Sequence, residues 1–275
     1  MELYVSSGAF TGRINGRNPR LLADYWDQFD CDGFELMLFD DLEPQMDSII
    51  ELYQKARVPI RALHADKRTG DWTGNPDPDA QQKLLDLFER NCRAGNALGA
   101  QKIVTHIWGR PYSDQHLDQI AQQVGLLLQI ARRYNLDLVA ENCVCFSSPI
   151  ENLEKLCQIH PTLGVTIDTR PAQFHRELAR TVQSPVFQRN MRHVHINDYK
   201  GGYMQWEALY PIYQPGQGEI DFDLFFDGIL QKHPQCSITL EAPAMRPDCV
   251  DVQTLGRALT FIRQHLKEPV HKAVV

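Results

Sequence analysis

Basic residues are in the minority in this chain of 275 residues. It has 28 lysines and arginines against 35 aspartates and glutamates, which gives a formal net charge of −7. Proteins that bind nucleic acid through their surface usually carry a basic face. The charge balance therefore argues against a nucleic-acid partner.

Long apolar runs and secretion signals are also missing. The longest apolar stretch, around Val124 to Ala131, is too short to span a bilayer, and the segment Met1 to Val5 lacks the basic and apolar regions of a signal peptide. The seven cysteines include no Cys-x-x-Cys spacing, and Cys143 and Cys145 are the only close pair. We therefore expect reduced thiols, a cytoplasmic protein and no membrane contact.

The first strand-like segment is not followed by the Gly-x-Gly-x-x-Gly turn of a dinucleotide-binding sheet. Instead, eight short apolar segments alternate with eight helical patterns, and 43% of the residues are hydrophobic. Such alternation implies parallel strands with right-handed crossovers, and eight units favour closure into a barrel. We predict an α/β protein with one domain, a (β/α)8 TIM barrel over residues 1–267, followed by a C-terminal tail over residues 268–275. The predicted strands begin near Leu3, Gly33, Pro59, Lys102, Leu138, Val165, His193 and Ile238.

Several of these apolar segments end on a side chain that can bind a metal ion. Leu138 to Glu141, Val165 to Asp168 and Ile238 to Glu241 each end in an acid. In the stretch His193-Val194-His195-Ile196-Asn197-Asp198, apolar residues alternate with polar ones, as expected for a strand. Because polar groups are costly to bury without partners, this recurrence indicates a functional site.

In a barrel, the carboxyl ends of the strands converge on one mouth. Glu141, Asp168 and Glu241 would repel one another there, and a divalent cation shared with His195 would relieve the repulsion. Three carboxylates and one imidazole suit Mn²⁺, Mg²⁺ or Co²⁺, and Zn²⁺ is also compatible. Other interpretations remain open: ion pairs between the glutamates and basic residues, Asp168 as a helix cap, and His195 as a hydrogen-bonded core residue.

The chain resembles the xylose isomerase-like barrel superfamily from Leu3 to about Leu266. This superfamily includes sugar and sugar-phosphate isomerases, ketose 3-epimerases, inosose dehydratases and endonuclease IV. The resemblance is carried by Ala140-Glu141-Asn142, Ile167-Asp168-Thr169, the His193 to Asp198 stretch, Gly216-Gln217-Gly218-Glu219-Ile220-Asp221 and Leu240-Glu241. It implies that Glu141, Asp168, His195 and Glu241 hold the metal and that the two glutamates form the catalytic acid–base pair.

The expected function is a metal-dependent isomerase or epimerase of a small sugar, sugar phosphate or polyol. It would abstract a proton beside a metal-bound carbonyl, with the cation stabilising the enediolate oxygen. Return of the proton from the other face would invert the centre, and return at the neighbouring carbon would interconvert aldose and ketose.

One position departs from the superfamily pattern. A histidine commonly stands three residues after the strand-six aspartate, and this chain has Pro171 there. We expect Arg170 to supply an anionic contact instead, since its planar fork suits carboxylate or phosphate. The other candidates for substrate binding or a second metal are His64, His106, Lys200 and Trp108.

Three other functions are compatible with the same residues. They are a phosphodiesterase of the endonuclease IV type with a second metal at His64 and His106, a lyase resembling inosose dehydratase, and a metal- and sugar-binding barrel without catalysis. The sequence leaves the oligomeric state open, and a homo-oligomer is compatible with it.

Overall fold

The computed structural model describes residues 1–109, 112–228, 232–233 and 235–267 and contains a closed barrel of eight parallel strands. Each strand pairs with its neighbour in the sequence, and β8 pairs with β1. The (β/α)8 barrel predicted from the alternating pattern is therefore confirmed. The strands are β1 Leu3–Ser6, β2 Gly33–Met37, β3 Ile60–His64, β4 Lys102–Thr105, β5 Asp137–Glu141, β6 Gly164–Asp168, β7 Met191–Ile196 and β8 Ser237–Leu240.

Helices cover the outside of the barrel. The described helices are α1 Arg20–Tyr25, α2 Met46–Ala56, α3 Arg68–Trp72, α4 Pro78–Ala97, α5 Leu117–Arg133, α6 Pro149–Ile159, α7 Thr169–Phe174, α8 Leu178–Gln183, α9 Pro185–Asn190, α10 Phe222–Gly228 and α11 Val252–Lys267. The sequence predicts one helical segment after β6, near Ala172 to Val182, and the structure has the three short helices α7, α8 and α9 between β6 and β7. The predicted tail at 268–275 and the predicted end of the Phe222 helix at Gln231 lie outside the described residues.

The two faces of the barrel strands differ in chemistry. Outward-facing residues such as Val5, Leu63, Ile167 and Leu240 are fully buried in one apolar cluster with the helices. Burial of each such side chain stabilises the fold by about 1.5–3 kcal/mol. The inward face carries polar residues that are also buried, including Glu35, His64, Glu141, Thr166, Asp168, His193, His195 and Thr239. The interior of this barrel is therefore polar at the level where its strands end.

One predicted helix start is wrong. The sequence predicts that Ser113 or Asp114 caps the helix that follows β4 and continues to Tyr134, but this helix, α5, begins at Leu117. The Asp114 carboxylate instead accepts hydrogen bonds from the backbone amides of Phe146 and Ser147 at 3.1 and 3.2 Å, and from the Asn152 side chain at 2.8 Å. Asp114 thus binds the segment between β5 and α6 and the first turns of α6, and no side chain of the described residues caps α5.

Among the described residues, no helix is both long enough and apolar enough to cross a membrane. All seven cysteines are free thiols.

Candidate metal centre

The carboxyl ends of β5 to β8 bring four predicted side chains together. Glu141 and Asp168 end β5 and β6, His195 lies in β7, and Glu241 follows β8. Asp168 pairs with His195 in the strand register, and the Glu241 amide donates to the Ile196 carbonyl at 3.0 Å. One ligand atom from each of the four residues lies within 4.8 Å of the others. Parallel strand pairing thus produces the cluster expected from the chain pattern.

His195 occupies the centre of this cluster. Its Nδ1 atom lies 3.5 Å from a carboxylate oxygen of Glu141 and 3.5 Å from one of Glu241. The His195 side chain is fully buried, and both glutamates are nearly so. Nδ1 is therefore the nitrogen that faces the carboxylates.

His64 and His106 adjoin the cluster through Glu141. Their Nε2 atoms lie 3.2 and 2.9 Å from Oε2 of Glu141. The Nδ1–H group of His64 donates to the Ala65 carbonyl at 2.8 Å, which leaves Nε2 as the atom directed at the site. These three residues form a second group with metal-ligand spacing.

Glu35 lies on the other side of His195 and was missed by the sequence analysis. Its carboxylate oxygens are 3.1 and 3.2 Å from Nε2 of His195, and its side chain has no solvent exposure. Nε2–H of His193 and the hydroxyl of Thr239 also donate to it, at 2.8 and 3.0 Å. A single acid within the buried run Gly33 to Met37 was the signal that could have identified it.

A chain of hydrogen bonds continues from Glu35 toward the base of the barrel. Nδ1 of His193 accepts from the Ser237 hydroxyl at 2.7 Å, and Ser237 in turn accepts from the Lys102 ammonium at 2.6 Å. Burial lowers the pKa of His193 to about 4, so its ring is neutral and can accept at one nitrogen while donating at the other. His193 thus supports Glu35 rather than facing the carboxylate cluster.

Burial, like charges and adjacent imidazoles shift the pKa values of the three carboxylates in different directions. Burial, together with the charges of Glu141 and Glu241, raises the pKa of Asp168 to about 7, against the lowering effect of Arg170. Burial and the same like-charge repulsion raise the pKa of Glu241. Burial opposes ionisation of Glu141 as well, but the adjacent imidazoles outweigh it and hold its pKa well below the usual range.

The residues fit a divalent cation. Nδ1 of His195 and Oε1 of Glu241 are buried and have no hydrogen-bond partner among the described residues. Burial lowers the pKa of His195, yet the surrounding carboxylates raise it well above its usual value. The site therefore attracts positive charge at Nδ1, and a cation there would satisfy both unpartnered atoms.

The structure also bears on the alternative roles of these residues. Within the described part of the chain, neither Glu141 nor Glu241 forms an ion pair with a lysine or arginine; their charged neighbours are histidines. Asp168 does cap α7, because its Oδ1 accepts from the Arg170 amide at 2.9 Å. Capping uses one carboxylate oxygen and leaves the other for the cluster.

Two cavities open beside the cluster. One, of about 640 Å³, is lined by His106 and by apolar side chains that include Trp108, Phe146 and Trp206. The other, of about 740 Å³, is lined by Glu241, Arg170 and several other charged residues. Both volumes fall in the range of small-molecule sites, roughly 300–1,000 Å³. Lys200 is exposed and lines neither cavity.

The backbone amides of the Gly216 to Gly218 turn bind the side chain of Asp198. Its carboxylate accepts from the amides of Gly216 and Gly218 at 2.9 and 2.8 Å and from that of Ile220 at 3.1 Å. A Cβ on Gly218 would lie 2.4 Å from Asp198, so only glycine fits at this close approach.

Comparisons with known proteins agree with the fold. The family model described as a xylose isomerase-like TIM barrel matches residues 24–265. A D-allulose 3-epimerase from Methylomonas sp., solved with D-allulose, superposes with a TM-score of 0.71 at 16% identity, covering 96% of this chain and 97% of that one. A 3-keto-D-glucoside 4-epimerase from E. coli superposes with a TM-score of 0.70 at 18% identity, covering 96% of this chain and 99% of that one. A D-tagatose 3-epimerase-like protein gives 0.69 at 17% identity, with 97% of each chain covered.

Similarity to curated sequences is limited to part of the chain. An uncharacterised protein of Mycobacterium tuberculosis (strain ATCC 25618 / H37Rv) is 33% identical over 130 residues, which cover 44% of this chain and 43% of that protein. A protein of Mycobacterium leprae (strain TN), also uncharacterised, is 28% identical over 131 residues with the same coverage. This chain thus aligns with less than half the length of these curated relatives.

Proposed function

This chain belongs to the xylose isomerase-like TIM barrel family, and on that premise we propose that it is a divalent-metal-dependent isomerase or epimerase of a small hydroxycarbonyl compound such as a sugar, sugar phosphate or polyol. The observation that carries the proposal is the placement of Glu141 and Glu241 at equal distances of 3.5 Å from Nδ1 of His195. Two carboxylates beside one cation site are the groups that proton transfer at a carbon next to a carbonyl requires.

We assign the cation to Glu141, Asp168, His195 and Glu241. When bound, Mn²⁺, Mg²⁺, Co²⁺ or Zn²⁺ would supply the positive charge that makes a proton beside a carbonyl more acidic. The remaining chemistry belongs to the side chains of this chain. It consists of holding the substrate between the two cavities, excluding water and moving a proton.

The two glutamates suit opposite roles because their environments differ. The imidazoles of His64, His106 and His195 favour the ionised form of Glu141, which is the form needed to accept a proton. At Glu241, burial and neighbouring carboxylates outweigh the adjacent imidazoles and raise the pKa, which makes it the better proton donor of the two; a cation would lower the pKa of both glutamates. Carboxylates whose environments move their pKa values apart are typical of acid–base pairs.

Solvent exchange tests the proposal. The purified protein is loaded with Mn²⁺ and incubated in deuterium oxide with ketoses and aldoses, and incorporation of deuterium beside the carbonyl is followed by NMR. We expect label at one carbon together with formation of an epimer or isomer. A panel in which no substrate takes up deuterium, while another metal-dependent conversion proceeds, would contradict it.

A hydrolase with two metal ions is the second candidate, and the spacing of His64, His106 and Glu141 favours it. Two metals per chain and cleavage of a phosphodiester, such as an abasic duplex, would support this alternative. Pro171 weighs against it, because the resemblance implies that endonuclease IV has at this position a histidine that binds a third zinc ion. We also propose, from the free cysteines and the residue pattern, that the protein acts in the cytoplasm.

A further inference from the structure

The cavity beside Glu241 is lined by an unusual number of cations for an acidic protein. Its wall contains five basic residues, namely Arg13, Arg17, Lys67, Arg68 and Arg170. The same wall contains four acids, Asp40, Asp66, Asp71 and Glu241, so its basic residues exceed its acids by one, whereas the whole chain has a net charge of −7. The five residues differ in whether neighbouring carboxylates balance their charge.

Two of the five are committed to protein acids. Arg17 pairs with Asp41 at 2.6 Å and Asp40 at 3.4 Å, and its guanidinium packs on Phe39. Arg68 pairs with Asp66 at 2.7 Å and Glu43 at 2.8 Å. These pairs form the wall of the cavity and leave little positive charge for a ligand.

Arg170 has no carboxylate partner at its guanidinium among the described residues. Its Nη1 donates to the Leu209 carbonyl at 3.1 Å, and its carbon Cζ lies 6.0 Å from the Tyr210 ring. Its Nε is buried and has no hydrogen-bond acceptor. The side chain is thus held in position by a neutral oxygen. Its charge acts on Asp168, whose pKa it lowers, and its buried Nε lacks the acceptor that a bound anion would supply.

Lys67 and Arg13 are both exposed, and neither forms an ion pair among the described residues. Of the two, only Lys67 lines both cavities. Lys67 and His106 line the same cavity of about 640 Å³, and Nε2 of His106 lies 2.9 Å from Glu141. Lys67 is therefore close enough to the cluster to act on a molecule bound there.

We infer that the substrate carries an anionic group, a carboxylate or a phosphate, which Arg170 and Lys67 bind while its hydroxycarbonyl end lies at the Glu141–Glu241 cluster. The inference rests on the proposed function for the position of the hydroxycarbonyl end. Its physical basis is separate: two cations line the same cavity as Glu241, and an anion would satisfy both. The planar fork of arginine and the point charge of lysine are both common ligands of carboxylate and phosphate.

Binding of matched probes tests the inference without turnover. Dihydroxyacetone is neutral, hydroxypyruvate replaces one of its hydroxymethyl groups with a carboxylate, and dihydroxyacetone phosphate carries a phosphate. D-xylulose and D-xylulose 5-phosphate repeat the comparison with a longer spacer. Titration calorimetry on metal-free and Mn²⁺-loaded protein gives each dissociation constant. We expect at least one anionic probe to bind about tenfold or more tightly than its neutral match, and the preferred anion distinguishes carboxylate from phosphate.

Variants distinguish binding of the anionic group by Arg170 and Lys67 from its direct binding to the metal. Arg170→Gln and Lys67→Gln should each reduce the anionic preference, and the double variant should remove it while neutral probes bind as before. Arg20→Gln and Lys83→Gln remove the same charge from exposed positions outside both cavities and should leave the preference unchanged.

Equal affinities for neutral and anionic probes, or a preference that survives in the double variant, would overturn the inference. Absence of measurable binding by any anionic probe would do the same. Failure of the proposed function appears separately, as absence of deuterium exchange. The two results are distinguishable because the binding experiment does not depend on catalysis.

Discussion

Nε2 of His195 lies 3.1 and 3.2 Å from the two carboxylate oxygens of Glu35, while Nδ1 of the same ring faces Glu141 and Glu241. Burial raises the pKa of Glu35, but the two adjacent imidazoles more than offset this and hold it well below its usual range. The ionised carboxylate keeps the proton of His195 on Nε2. Nδ1 is thereby directed at the cluster, where a cation would take the place of the proton that the surrounding carboxylates favour there.

The first prediction concerns this contact. Glu35→Gln should weaken Mn²⁺ binding by about 10–100-fold, because an amide neither fixes the tautomer of His195 nor balances its charge. The measurement is calorimetric titration of metal-free protein. Leu255→Ala, which truncates a fully buried residue of α11 away from the cluster, controls for loss of stability alone. Unchanged affinity in Glu35→Gln would show that the contact only packs the barrel.

The second prediction concerns the proposed acid–base pair. Glu141→Gln and Glu241→Gln should each lower the rate of epimerisation or isomerisation by about 10²–10⁴-fold, the usual contribution of a general acid or base. Circular dichroism should show an intact fold in both. Glu51→Gln, at an exposed position of α2, provides the matched control. Full activity in either site variant would exclude that glutamate from proton transfer.

Replacement of Asp168 should not lower the melting temperature of the metal-free protein, but it should reduce the stabilisation that Mn²⁺ gives to the wild type. In the metal-free protein, Asp168→Asn removes a buried carboxylate among like charges and keeps an oxygen to cap α7, so the melting temperature should stay constant or rise. In the wild type, Mn²⁺ at 100 times its dissociation constant should add about 2.7 kcal/mol to the free energy of unfolding. Thermal melts with and without Mn²⁺ check both parts. A metal-induced rise as large in Asp168→Asn as in the wild type would exclude Asp168 as a ligand.

The buried imidazole of His175 should make the free energy of unfolding depend on pH. Burial lowers the pKa of this ring to about 4, against the opposing charge of Asp114, and its Nε2 accepts from the Cys145 amide at 3.4 Å. The unfolded chain therefore binds a proton at His175 before the folded protein does. Its contribution to stability is complete above pH 6.5 and is lost as the pH falls toward 4.

Denaturant unfolding at several pH values measures this effect. The free energy of unfolding of His175→Gln should depend less steeply on pH between 6.5 and 4 than that of the wild type. His116→Gln, which removes an exposed imidazole, should keep the wild-type slope. Equal slopes in all three proteins would mean that His175 is protonated in the folded state.

The fold was predictable because its signal is local. Short apolar segments with helices between them determine a parallel barrel, and the strand bounds differ from the prediction by only a few residues. The start of α5 was not predictable, since Asp114 bonds to residues more than 30 positions away. Local capping rules cannot anticipate a partner that only the folded chain supplies.

The candidate site also contains some residues that were predictable from the sequence and others that were not. Glu141, Asp168, His195 and Glu241 could be placed at one mouth because each stands at or near the end of a strand. Glu35 could not be assigned, because its role depends on a contact with His195 across 160 positions of sequence. The positions of Arg170 and Lys67 in one cavity likewise depend on how the loops pack, which a strand pattern does not specify.

The hydrogen-bonded chain from Lys102 through Ser237, His193 and Glu35 to His195 changes how the far end of the barrel should be regarded. In TIM barrels, residues opposite the active site are usually considered to serve stability alone. Here a substitution at Lys102 would alter the orientation of an imidazole at the mouth. Protein engineering or laboratory evolution could therefore modify the metal centre by substitutions at the base of the barrel, without altering any residue that touches the substrate.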